Sequence, residues 1–121
     1  MTNSGSPTAI GAGQVLSASP GGPDAGWPHP AIRDLIEEVG SADLESGFEI
    51  GLFNRRGVTS RHPTEGGGQE RRHAERYEGF AVAINDRWPR TAAMLRRIAD
   101  SYRVMGRRED QEAELREDRD R

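Results

Sequence analysis

GFEIGLFNRRGVTSR, residues 47–61, can be wound or extended, and the segments on either side must be arranged around it. Phe48, Ile50 and Leu52 alternate with Glu49, Gly51 and Phe53, the period of two of a β-strand. Asn54 to Gly57 fits a four-residue turn in which the glycine takes the left-handed position. The β-branched Val58-Thr59 then opens a returning strand that ends at Arg61. A small β-hairpin is therefore expected here. Two strands alone are marginal, so the hairpin must lie against helices.

The flanks supply those helices. Upstream, AIRDLIEEVG sets Ile32, Leu35, Ile36 and Val39 at helical spacing, with Gly40 as a natural stop. This predicts a helix over 30–39. Downstream, Ala74, Tyr77, Phe80, Ala81, Ile84 and Trp88 recur at steps of three and four, one apolar stripe on a helix over about 67–86. Pro89 breaks that ladder but fits the first turn of another helix. The next stripe is Met94, Leu95, Ile98, Tyr102 and Met105. A short connection between two long helices predicts an antiparallel helical hairpin. Beyond Met105 the chain is charged nearly all round. Glu112–Arg116 and Glu117–Arg121 are pairs in the favourable order, each contributing ~0.2–0.5 kcal/mol. This end is expected to be a solvated, fraying helix extension or a partner-facing tail.

The first residues are Gly, Ser, Pro, Ala and Thr with scattered small apolar residues. Such a segment buries too little to offset its ordering entropy. Residues 1–27 are therefore expected to form a disordered leader. Residues 28–121 are expected to form one small domain, mostly α, with α+β as the variant the hairpin implies. A chain of 121 residues is at most one domain. With 33% apolar and 31% charged residues, its core must be small.

Composition excludes several chemistries. There is no cysteine, hence no disulfide framework, thiol nucleophile or thiolate metal site. No stretch approaches the ~20 apolar residues of a membrane span. The beginning lacks the basic region and continuous apolar core of a signal peptide, so a cytoplasmic location is expected. All 17 basic residues are arginine, as a GC-rich coding sequence favours, which weakens the reading of each as chosen for bidentate recognition. Net charge is −3, but unevenly spread. Residues 1–46 hold one arginine against six acids (−5), residues 47–97 ten against six (+4), and residues 98–121 six against eight (−2).

Three segments taken together, NRRGVTSR, EGGGQER and WPRTAAMLRRIADSYR, resemble a group of uncharacterised actinobacterial proteins. In that group an RGV turn, an EGG-x-QER helix start and a WPRTA-x-x-LR-x-IA-x-x-Y helix recur in this order. The resemblance spans about residues 47 to 114. It implies a bacterial protein of similar design and carries no catalytic role to transfer.

Where could a site lie? The glycines of EGGGQ, residues 65–69, open a helix whose free N–H groups and partial positive charge suit an anion. Arg55, Arg56, Arg61, Glu65, Gly67, Gln69 and Arg71 are the candidate binding residues. The spacing matches neither dinucleotide nor P-loop motifs, and no lysine exists to reach a phosphate. The glycines are read first as a turn into the helix. His62, Glu65 and His73 lie close in sequence, but Pro63 denies them a shared helix face, and no HExxH motif occurs. No metal, catalytic residue or cofactor is assigned.

Nucleic-acid binding through Arg55, Arg56, Arg61, Arg71, Arg72 and Arg76 is an alternative. Glu65, Glu70, Glu75 and Glu78 interleave with these arginines and favour a solvated face. The small core favours pairing with another chain. A non-enzymatic protein-interaction or regulatory module, self-associating or within a complex, is the expected function. Nucleic-acid binding is the first alternative, and an anion-binding or small enzymatic site at residues 54–72 the second.

Overall fold

The computed structural model describes residues 7–56 and 67–119. They form five helices: α1 Pro7–Leu16, α2 Pro30–Val39, α3 Ala42–Arg56, α4 Gly68–Ile84 and α5 Pro89–Arg119. No strand occurs among the described residues. Helices α4 and α5 pack along each other, as do α1 and α3, while α2 lies against the beginning of α5.

The expected β-hairpin is corrected. Gly47–Arg56 continues α3, and the proposed returning strand at 58–61 lies outside the described residues. Ser41 starts the helix: its hydroxyl accepts from the Leu44 amide at 3.1 Å. Leu44, Phe48 and Leu52 then recur every fourth residue and are all buried. Ile50, which made the segment look alternating, points outward.

The two glycines of the same segment explain what faces the other way. A methyl group at Gly47 would land on the Ile10 carbonyl of α1. One at Gly13 would land on the Leu44 carbonyl of α3. The two helix backbones touch here, and only hydrogen in place of a side chain permits it. This contact also corrects the expectation of a disordered leader for residues 7–26. Residues 1–6 lie outside the described residues.

The connection from α1 to α2 is tied down by side chains. Arg33 of α2 is fully buried. It pairs bidentately with Asp24 at 2.9 and 3.1 Å, donates from Nε to the Pro28 carbonyl at 2.6 Å, and lies 4.6 Å from the Trp88 ring centre. The guanidinium holds the Asp24 carboxyl at about 2, well below its ordinary 3.8, and the Gly26 amide adds to this. Trp27 donates to the Ser19 carbonyl at 2.8 Å and packs edge-on to Phe48 and Tyr77. A residue of the supposed leader boundary is therefore a hinge pin of the core.

The helical hairpin is as the stripes predict. Tyr77, Ile84, Met94, Leu95, Ile98 and Tyr102 are buried, and the rings of Tyr77 and Tyr102 stack with centroids 5.7 Å apart. The two helices run antiparallel: Gly67 and Arg71 meet Asp110, Glu78 meets Arg103, and Asn85 meets Arg96. Glu37 of α2 caps the start of α5. Its carboxylate accepts from the Arg90 amide (3.1 Å), the Thr91 amide (2.6 Å) and the Thr91 hydroxyl (2.9 Å). A negative charge at a helix N-terminus is stabilising.

Glycine substitutions separate the two roles of small residues. Gly47→Ala should lower stability in urea unfolding by about 1–3 kcal/mol, because the methyl meets backbone that cannot step aside. Gly79→Ala, on a face with nothing within 4 Å, should raise it by about 0.4–1 kcal/mol. Stabilisation by both would refute the α1–α3 contact.

Candidate functional site

Of the residues singled out from sequence, the described ones fall in two places, Arg55 on α3 and Gly67 with Arg71 at the start of α4. Arg55 sits on α3 and closes the C-terminal end of α1, donating to the Gln14 carbonyl at 3.0 Å and the Ser17 hydroxyl at 3.2 Å. That position suits a cation, because the last carbonyls of a helix carry partial negative charge. Arg56 is the last residue of α3. Arg61 and Glu65 lie outside the described residues. Gln69 is half-buried in the first turn of α4.

Gly67 and Arg71 do meet an anion, and it belongs to the chain itself. The Gly67 amide donates to Asp110 Oδ1 at 2.8 Å, and Arg71 reaches Asp110 Oδ2 at 2.6 Å. Gly67 is needed because a methyl there would strike the Gly106 carbonyl of α5. The amide and the guanidinium together hold the Asp110 carboxyl below its ordinary range. Its contribution to stability is complete above the ordinary 3.8 and is lost as pH falls through the depressed folded value. The start of α4 therefore holds a carboxylate supplied from the far end of α5.

Several other arginines are likewise held within the molecule. Arg96 and Arg103 share Glu78, Arg97 bridges Glu45 and Glu49, and Arg90 pairs with Glu45. Arg76 and Arg87 lie over Phe80 and Trp88. These side chains are held against carboxylates and rings of their own molecule and do not form a stripe that tracks a phosphate backbone.

Two concavities among the described residues bear on what the surface can do. The first is a charged cleft of about 470 Å³ between α3 and α5, lined by Ala42, Glu45, Ser46, Glu49, Arg90 and Arg97 among others. It forms because Ala42, Ser46 and Ala93 are too small to fill the space between the helices. Burial pushes the Glu49 carboxyl up, with Arg97 opposing. Each carboxylate is tied to an arginine: Glu45 to Arg90 and Arg97, and Glu49 to Arg97. Among the described residues no three histidine or acid side chains are placed to hold a metal ion.

The second is apolar. Thr8, Ala9, Ala12, Val15 and Leu16 of α1, Leu35 and Val39 of α2, and Leu44 of α3 line a groove of about 580 Å³. Val15 is 73% exposed, Val39 51% and Leu35 38%. The stripe read on α2 is thus divided: Ile36 enters the core, while Leu35 and Val39 face the groove. Sequence reasoning missed this site because one wall is α1. The signal was present as Ala12 and Val15-Leu16 at helical spacing, with Ile10 and Gly13 on another side.

No family model matches the chain, and neither does any curated protein or solved structure. Among the described residues no helix is long and apolar enough to cross a membrane.

Asp110→Ala removes the built-in anion from α4. The melting temperature of the variant should fall, and inorganic phosphate should then raise it by more than it raises that of the parent. An equal phosphate response in both proteins would show that Asp110 does not occupy that position.

Proposed function

We propose that the chain is a non-enzymatic protein-interaction module that docks its partner in the apolar groove between α1 and α2. The observation that carries this is the clustering of Val15, Leu35 and Val39, all well exposed, around one concavity. Exposed apolar residues scattered singly need no explanation, but a contiguous apolar hollow costs solubility and marks an interaction site. The ionic cleft between α3 and α5 supports the same reading from the other side, since its charges satisfy one another. The internal contacts of Arg55, Arg71 and Arg76 support a protein partner over nucleic acid. The RGVTSR, EGGGQER and WPRTA segments support placing the chain with the actinobacterial group they resemble, and a cytoplasmic location fits that placement.

Val39→Glu tests the reading without touching the core, since Val39 is half exposed. Circular dichroism should show unchanged helicity, with stability within about 0.5 kcal/mol of the parent, as for surface substitutions. A protein captured from source-cell lysate by the parent should be lost by this variant and kept by Val82→Glu on α4. Equal capture by all three would contradict the groove as the docking surface.

A further inference from the structure

The solvent face of α5 carries a second, separate surface. α5 has 31 residues. Its Asp110 is level with the start of α4, so residues 111–119 run on past that helix. Tyr102, Gly106 and Ala113 turn one side of α5 inward and are buried. Val104 and Leu115 stand on the opposite side, 45% and 56% exposed. They are eleven residues apart, which is about three turns and so the same face, roughly 16 Å along the axis. Exposed Arg108 and Gln111 fill the face between them, with Arg107 and Glu114 along one margin and Glu112 along the other.

No single exposed valine or leucine calls for a partner. The order of the charges around this pair does. Between Val104 and Leu115 the arginines of the face come first, at 107 and 108, and its acids follow, at 112 and 114. Glu109 and Asp110 lie off the face, and Asp110 is taken up by Gly67 and Arg71. Among the described residues Arg107, Arg108 and Glu114 have no ion pair, and Glu112 meets Arg116 of its own helix at 3.4 Å.

We propose that this face binds the same face of a second copy, with the two α5 helices antiparallel. Val104 of each copy then lies on Leu115 of the other, and Arg107 and Arg108 lie level with the other's Glu114 and Glu112. The contact is isologous, every pair being made twice about one twofold axis. Charges flanking an apolar seam set helix orientation in this way. A parallel pair would bring Arg107 and Arg108 onto their own copies, at a like-charge cost. The inference goes beyond the groove, which lies on α1, α2 and α3. One helix from each copy makes a narrow interface of the small class, below ~1,200 Å². The dimer therefore forms at high protein concentration and weakens as salt rises.

Sedimentation velocity on the full chain, from micromolar to millimolar concentration, should show a monomer passing to a dimer. Leu115→Gln should weaken the dimer about tenfold or more, and Val82→Gln, at an exposed site on α4, should leave it unchanged. The orientation has its own readout, because the chain has no cysteine. A mixture of Val104→Cys and Leu115→Cys chains should cross-link under mild oxidation, since the two sulfurs come within bonding reach. Each variant alone should not, since its two cysteines would sit about 16 Å apart. A charge swap adds a rescue. Arg107→Glu with Arg108→Glu should be monomeric, as should Glu112→Arg with Glu114→Arg, and the two mixed should dimerise.

A monomer at every concentration would overturn the proposal, as would a dimer that Leu115→Gln leaves intact. Cross-linking of Val104→Cys to itself, with none in the mixture, would overturn the antiparallel pairing. A dimer lost in Val39→Gln and kept in Leu115→Gln would move self-association to the groove and overturn the proposal.

Discussion

Two helix backbones touch where Gly13 of α1 meets Leu44 of α3 and Gly47 of α3 meets Ile10 of α1. α1 has ten residues, no charge and two glycines, and a helix of that length is marginal in water by itself. Its existence therefore depends on docking. Each glycine inside a helix costs about 1 kcal/mol relative to alanine, and the close approach it allows offsets that cost through dispersion contacts along both backbones. Arg55 then fastens the far end of α1. With α1 in place, the groove has its second wall; without it, Leu35 and Val39 would be two unrelated exposed residues on α2.

The same economy governs the charges. Glu37 fills the start of α5, Asp110 fills the start of α4, Arg55 closes the end of α1, and Asp24 neutralises the buried Arg33. Features that resemble binding equipment in a list of residues, such as a glycine-rich helix start among arginines, are in this fold the joints between helices. The joints lie far apart in sequence and close the chain on itself. They also leave the apolar groove open, with Val15, Leu35 and Val39 exposed on its walls.

The parts visible in sequence are those whose signal is local and strongly periodic. Pro30–Val39 and the pair Gly68–Ile84 and Pro89 onward follow their stripes, and Tyr77, Leu95, Ile98 and Tyr102 are in the core as the spacing implies. Residues 47–53 went the other way because Phe48 and Leu52 satisfy a period of two and a period of four equally. What separates the periods is Leu44, which extends the spacing of four upstream, and the glycine face toward α1, which is a tertiary fact. α1 was illegible for a related reason. Its composition is that of a disordered segment, and the contact that orders it is made by atoms a sequence does not display, the bare backbones at Gly13 and Gly47. Of the candidate site residues, Gly67 and Arg71 do come together, but around Asp110, 43 and 39 positions away, a pairing that no local pattern announces.

The most direct test is backbone NMR of the full chain. The structure predicts helical Cα shifts through Gly47–Asn54 and through Pro7–Leu16. It also predicts nuclear Overhauser effects between the Gly13 α-protons and Leu44 or Gly47. Extended shifts across Phe48–Phe53, or random-coil shifts across α1 with no such contacts, would contradict it.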